Sequence, residues 1–242
     1  MKIIEKIKAK ANDIYSNEGV TIAFLGDSVT QGCFEVFKKR DGHINTIFDK
    51  NNAYHAHLAK IFAEVYPNVP FNMINAGISG GSAANGLERL ERDVLSRNPD
   101  LVVVSFGLND ATVGGKEKAD DYAKTLKTIF EKIKASGKEV IFMTQNMMNT
   151  KLSDLITPQT GEAVAENTMK IQNEGVLDLY FDKAKEAAEE CGVTVCDCYS
   201  KWKKLYENGA DITELLANKI NHPTREMNWL FAVSLFETIM GM

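Results

Sequence analysis

A parallel α/β sheet with helices on both faces is predicted by three observations. Five short runs are β-branched or aromatic, bounded by turn residues and too short for helices: Val20–Leu25, Phe71–Asn75, Leu101–Phe106, Val140–Met143 and Val193–Cys196. Apolar stripes at helical spacing lie between them. The two kinds of segment alternate, and a strand that returns through a helix pairs in parallel with the strand it left.

The segments follow in order. The N-terminal stretch mixes Lys and Glu every few residues and predicts an amphipathic helix with Ile4, Ile7, Ala11 and Ile14 on one face. After the first strand, Phe34–Asn52 is a long excursion. Tyr54, Leu58, Ile61, Phe62 and Val65 form the next stripe. Leu87, Leu90 and Val94 follow the second strand, and Tyr122, Leu126, Ile129, Phe130 and Ile133 follow the third, stopping at Gly137. A second excursion, Gln145–Asn173, follows the fourth strand. Leu177, Tyr180, Ala184 and Ala187 form another stripe, and Met227, Leu230, Phe231, Leu235 and Ile239 the last. Loops as long as the two excursions are usually functional or mobile, and both would emerge at the carboxyl edge of the sheet. With no repeat, low-complexity tract or linker, residues 1–242 are read as one domain.

Composition narrows the function classes. The 242 residues are 44% hydrophobic and 25% charged, ordinary for a globular chain able to bury a core. A net charge of −5 gives no nucleic-acid footprint. No apolar run approaches the roughly 20 residues that span a bilayer, and the N-terminus lacks the apolar core of a signal peptide. The expectation is a cytoplasmic chain with no membrane partner. Cys33, Cys191, Cys196 and Cys198 match no zinc or thioredoxin spacing and read as reduced structural thiols. His55 and His57, two apart on a helix, cannot chelate one ion, so neither metal nor cofactor is expected. His43 falls in the first excursion and reads as a solvated loop residue. Gly26–Gly32 lacks the Gly-Lys-Ser/Thr of a phosphate loop, which weighs against a nucleotide or flavin domain. Met147, Met148 and Leu152 to Ile156 leave open an apolar lid, a homo-oligomer contact or ordinary packing.

Ligands of open parallel sheets bind beyond the carboxyl ends of the strands, so the residues just after each strand matter most. The first strand runs into Gly26-Asp27-Ser28-Val29-Thr30-Gln31-Gly32. A serine on such a turn exposes its hydroxyl above the sheet, and its N–H lies near a helix start that favours an anion. The same residues could be a simple capped turn. The second strand ends in Asn75-Ala76-Gly77-Ile78-Ser79-Gly80-Gly81, where a glycine can present a bare N–H. The third ends in Gly107-Leu108-Asn109-Asp110, where a side-chain amide can donate. Near the C-terminus, Asn221-His222-Pro223 places a histidine before the last helix.

Together, in this order and across nearly the whole chain, these four blocks resemble the SGNH/GDSL hydrolases. The resemblance implies a three-layer α/β/α sandwich with a flavodoxin-like parallel five-stranded sheet. It implies Ser28 as nucleophile and His222 as general base. It implies an oxyanion hole from the N–H groups of Ser28 and Gly80 and the side chain of Asn109, with Gly77 the alternative glycine. The implied activity is hydrolysis of a small ester, such as an acetylated carbohydrate, through an acyl-serine. The fourth block departs from the family. Where it normally carries Asp three residues before the histidine, this chain has Lys219, which cannot accept a hydrogen bond from the imidazole. Three readings follow: a Ser–His dyad with a backbone carbonyl orienting the ring, a carboxylate from elsewhere, or a protein that binds without turnover. The dyad is favoured.

Overall fold

The computed structural model describes residues 1–156 and 161–242. Five parallel strands form the main sheet: β1 (Val20–Gly26), β4 (Phe71–Gly77), β5 (Leu101–Ser105), β6 (Glu139–Met143) and β7 (Thr194–Cys196), in the order β4-β1-β5-β6-β7. Numbered within this sheet alone, the order is 2-1-3-4-5, the flavodoxin-like arrangement. β5 is buried at every position and β1 at all but one, as strands covered on both faces should be.

The chain leaves β1 toward one edge and every later crossover runs the other way. Right-handed crossovers therefore place α3 (Tyr54–Val65) on one face. They place α4 (Ala83–Asp93), α6 (Ala119–Ala135) and α8 (Val176–Glu190) on the other. α10 (Asn228–Met240) returns to pack against α3. Tyr54 of α3 sits edge-on to Phe24 of β1 with ring centroids 5.7 Å apart. Phe130 of α6 does the same to Phe142 of β6 at 5.8 Å. The stripe from Tyr122 to Ile133 is buried throughout, as its spacing predicts.

Several expectations need correction. α1 (Lys2–Asn12) buries Ile3, Ile7 and Lys10, a face offset from the predicted one, and Ile14 lies beyond the helix and is exposed. Glu139 accepts from the backbone N–H groups of Lys2 and Ile3 and caps the helix start, while the buried Lys10 ammonium donates to the Asn17 carbonyl. The first excursion is not a loop but an antiparallel hairpin, β2 (Cys33–Lys38) and β3 (Ile44–Phe48). The second contains α7 (Glu162–Asn173), while 157–160 lie outside the described residues. Met147 and Met148 are buried core, whereas Leu155 is exposed. α9 (Cys198–Glu207), absent from the sequence reading, is capped by Asp197, whose side chain accepts from Ser200 N–H. His222 lies six positions before the first residue of α10 rather than directly at its start.

Candidate active site

β1 ends in a turn whose geometry is set by Asp27. Its side chain accepts from the Val29 N–H at 3.0 Å and caps the four-residue α2 (Ser28–Gln31). The cap leaves Ser28 as the first helical residue, with its N–H outside the intrahelical ladder. Gly77 of β4 lets the neighbouring strand approach this turn. A Cβ there would lie 2.3 Å from the Gln31 nitrogen and 2.8 Å from the Asp27 carbonyl oxygen. Beneath the turn, Arg89 of α4 donates to the Gly26 carbonyl at 2.7 Å and to that of Ala76, tying the ends of β1 and β4 together.

Ser28 and His222, 194 positions apart, meet here: His222 Nε2 lies 2.9 Å from Ser28 Oγ. The other ring nitrogen, Nδ1, lies 2.9 Å from the backbone carbonyl oxygen of Phe34. A carbonyl oxygen only accepts, so Nδ1 carries the proton and Nε2 presents its lone pair to the serine hydroxyl. That is the tautomer a general base needs. Both residues are about 5% exposed or less, and burial holds the His222 pKa below the ordinary imidazole value. The Phe34 hydrogen bond and the Glu35 charge oppose that shift.

Lys219 does not face the ring. Its ammonium pairs with Glu214 at 2.7 Å, and its backbone is left-handed at φ 57°. The loop is instead closed by Asn218, whose side-chain oxygen accepts from the backbone N–H groups of Ile220, Asn221 and His222. No carboxylate occupies the place of a triad acid among the described residues bonded to His222.

The two glycine candidates separate cleanly. Gly77 N–H is taken by Asn75 Oδ1 at 3.0 Å. Gly80 is exposed, left-handed at φ 75°, and its N–H has no acceptor among the described residues. Asn109, at the start of α5 (Leu108–Gly114), points its amide nitrogen at Gly81 O (3.0 Å) and, more distantly, at Asp27 Oδ2 (3.4 Å). Gly80 and Asn109 line one cleft of about 360 Å³ together with Tyr122 and Tyr180, and Ser28 and His222 lie outside its lining.

Sequence reasoning missed the group beneath this site. Gln145, just past β6, donates to both oxygens of Asp27 and accepts from the Leu108 N–H at 3.1 Å. Asp27 is fully buried, which pushes its pKa up to about 7 against the pull of these donors. The signal was a run of polar residues, Thr144-Gln145-Asn146, directly after an apolar strand, all three fully buried. Phe34 left no such signal, because its contribution is a backbone carbonyl. His55 and His57 are both buried, His57 stacked 4.1 Å over Trp229, and no metal-holding cluster occurs among the described residues.

A flavodoxin-like sheet that brings Ser28, Gly80, Asn109 and His222 to the loops at its carboxyl edge is the arrangement of an SGNH-type hydrolase. The chain belongs to the GDSL-like Lipase/Acylhydrolase family, whose model matches residues 24–230. It is 30% identical over 134 residues to an acetylxylan esterase of Geobacillus stearothermophilus, covering 52% of this chain and 59% of that protein. It is 37% identical over 71 residues to an arylesterase of Vibrio mimicus, covering 29% of this chain and 34% of that one. The chain thus spans less than two thirds of the length of these curated relatives. Among solved structures, a mutant of a Geobacillus acetyl-xylooligosaccharide esterase superposes with a TM-score of 0.67 at 23% identity, covering 92% of this chain and 94% of that one. A two-domain esterase active on acetylated mannans superposes with a TM-score of 0.68 at 20% identity, covering 99% of this chain and 52% of the other. At those identities the superpositions speak for the fold.

Proposed function

We propose that the protein is a serine esterase that hydrolyses a small carboxylic ester, an acetylated carbohydrate being the favoured substrate, through an acyl-serine intermediate. The observation that carries the reading is the hydrogen bond between His222 Nε2 and Ser28 Oγ, with Nδ1 anchored on a carbonyl. As Ser28 Oγ attacks the ester carbonyl carbon, its proton passes to His222 Nε2. The oxyanion is received by the N–H groups of Ser28 and Gly80 and by Asn109 Nδ2. The long Asn109–Asp27 contact is the one exchanged for the oxyanion, since the shorter bond to Gly81 O holds the amide in place. His222 then protonates the leaving alcohol, the acyl-serine forms, and a water deprotonated by the same imidazole releases the acid and restores the serine.

The carbonyl on Nδ1 performs part of a triad acid's work. It fixes the tautomer and the ring plane but brings no full negative charge to the imidazolium. In a serine protease, disabling the acid costs about ten-thousandfold in turnover and the wrong tautomer accounts for the loss. Here the tautomer is right, so a working dyad is the physical expectation. The acetylated-carbohydrate assignment is supported by the named activity of the Geobacillus relative and by the near-complete burial of Ser28, which favours a small acyl group.

The test is hydrolysis of p-nitrophenyl acetate, longer acyl esters and acetylated xylo-oligosaccharides by wild type and Ser28→Ala. Turnover lost in the variant, with the melting temperature retained, is expected. Equal turnover by both proteins would remove the mechanism. A protein that binds without turnover, the reading Lys219 suggests, would show no hydrolysis and no labelling of Ser28 by a serine-reactive phosphonate.

A further inference from the structure

The carbonyl that orients His222 belongs to a strand that is itself held in an unusual way. β2 and β3 pair as Cys33 with Phe48 and then as Val36 with Thr46. Two residues of β2, Phe34 and Glu35, therefore stand against one residue of β3. This is a β-bulge, which frees a peptide from the ladder and re-aims it. The freed carbonyl is the one on His222 Nδ1. A bulge in an isolated two-stranded ribbon is a soft place to anchor a catalytic base, because such a ribbon has little intrinsic stability.

What stiffens it comes from the other side of His222. Arg225 donates to both carboxylate oxygens of Glu35, at 2.6 and 3.1 Å, and through Nε to Asp49 Oδ2 at 2.9 Å. Its guanidinium also lies 4.3 Å from the centre of the buried Phe34 ring. One side chain thus grips the bulge at Phe34 and Glu35 and the residue just past β3 at Asp49. It is rooted three residues after the imidazole that the bulge must meet. A bidentate, stacked arginine is a geometrically specific contact that lysine cannot reproduce.

We propose that Arg225 is a positioning residue for the catalytic pair: its clamp on Glu35 and Asp49 holds the Phe34 carbonyl on His222 Nδ1. The proposal rests on the esterase reading for its kinetic consequences, but the clamp itself can be read without turnover.

The charged groups on the elements around His222 are few. Glu35 stands on the bulge, Asp49 after β3, and Arg225 on the histidine's own segment. Lys219 is neutralised by Glu214, and Asp27 is the cap of the serine turn itself. Glu35 is held ionised by Arg225, and its charge favours the protonated ring, while burial disfavours it. Removing the Glu35 charge leaves Arg225 balanced by Asp49 alone, so the surroundings become less negative and the His222 pKa moves further down.

The experiment compares Arg225→Met, Arg225→Lys and Glu35→Gln with wild type, all checked for unchanged melting cooperativity. The readouts are kcat and KM on p-nitrophenyl acetate, the pH profile of kcat/KM, and the ring N–H resonance of His222 in ¹⁵N-labelled protein, assigned by its loss in His222→Gln. Arg225→Met is expected to lower kcat about ten- to a hundredfold at unchanged KM, the scale of a misplaced catalytic group. Arg225→Lys should fall between Arg225→Met and wild type. Glu35→Gln should move the acidic midpoint of the profile to lower pH. The His222 Nδ1–H resonance should be sharp in wild type and exchange-broadened in Arg225→Met. Folded variants with wild-type kcat, midpoint and ring resonance would overturn the proposal. So would a fall in kcat with midpoint and resonance both intact. Should Arg225→Met not fold, Arg225→Lys and Glu35→Gln decide by the same readouts. Should wild type neither hydrolyse esters nor react with a phosphonate, the esterase reading fails, and the ring resonance alone still decides the clamp.

Discussion

Gln145 Nε2 donates to both carboxylate oxygens of Asp27, at 3.0 and 2.9 Å, while its own carbonyl oxygen receives the Leu108 N–H. One buried amide thereby joins the turn that carries Ser28 to the helix start that carries Asn109. Ser28 and Asn109, the proposed nucleophile and side-chain oxyanion donor, follow different strands, and the backbone ladder between β1 and β5 ends at Gly26 and Ser105, short of both. Gln145→Leu has similar bulk but leaves Asp27 and the Leu108 N–H without their partner. The expected loss of stability is about 3 kcal/mol, the scale for orphaning a buried polar pair. It should appear as a lower urea midpoint at unchanged slope, with kcat reduced more than KM is raised. A Gln145→Leu midpoint equal to wild type would show that the amide does not link the two elements energetically.

Asp110 gives a pH signature to the same edge. Its Oδ1 accepts from the Ala83 N–H at 3.0 Å, but Oδ2 is buried with no partner among the described residues, and burial pushes its pKa up to about 6. The unfolded carboxyl titrates near 3.8, so below that pH both states are neutral and nothing is lost. As pH rises toward 6 the unfolded chain ionises while the folded one resists, and stability falls; above the folded value the penalty is constant. Asp27 contributes with the same sign over a window reaching about 7. Asp110→Asn keeps an acceptor for Ala83 and cannot ionise. Its melting temperature should match wild type near pH 3 and exceed it by a few degrees at pH 8. A difference of equal size at both pH values would mean that the buried charge is not the cause.

Much of this architecture was legible because it depends on periodicity. The five strands, the stripe of α6 and the four motif blocks each occupy local stretches whose pattern survives translation into three dimensions. Ser28, Gly80, Asn109 and His222 could be named because each lies immediately after a strand or beside a turn, where the fold class directs attention. What stayed hidden depends on contacts between distant segments. The Phe34 carbonyl has no side-chain signature, and the one hairpin signal in Phe34–Asn52, the Asp41-Gly42 dipeptide, stands without clean flanking alternation, so β2 and β3 read as a loop. Arg225 looks like a surface charge until Glu35 and Asp49, more than 170 positions away in each case, are brought to it. The buried face of α1 likewise depends on distant segments, its start being capped by Glu139 from across the chain.

The two glycines of the second block should respond oppositely to the same substitution. At Gly77 the backbone is ordinary but a Cβ would meet main-chain atoms of the serine turn at 2.3 and 2.8 Å, and neither can yield without moving Ser28. At Gly80 no atom lies within 4 Å of an added Cβ, and only the left-handed φ of 75° resists it. Gly80→Ala should therefore cost about 1 kcal/mol, the strain of a left-handed non-glycine residue, and still fold. Gly80→Asn should cost less, because asparagine tolerates that region. Gly77→Ala should either fail to accumulate as folded protein or lose esterase turnover with the turn displaced. Thermal melts of the three variants separate the cases; a Gly77→Ala protein as stable and active as wild type would contradict the close approach of β4 to the serine turn.

Lys219 is the residue by which this chain departs from its family, and its geometry says that the departure is passive. Its ammonium is paired with Glu214 and also donates to the Glu214 backbone carbonyl, so it neither contacts the ring of His222 nor competes for Nδ1. The Glu214 carboxylate in that pair is about half exposed, and pairs of that kind contribute roughly 0–1 kcal/mol. Lys219→Ala should accordingly leave kcat within about threefold of wild type, with a melting temperature lowered only slightly. Lys219→Asp is the sharper variant, because it restores the residue the family carries at this position. With Nδ1 already on the Phe34 carbonyl, an aspartate there must displace that bond before it can help. Turnover should not rise unless the clamp is also broken, as in a Lys219→Asp, Arg225→Met double variant. A large gain from Lys219→Asp alone, measured as kcat on p-nitrophenyl acetate, would show that the carbonyl is a weak substitute that a carboxylate readily replaces.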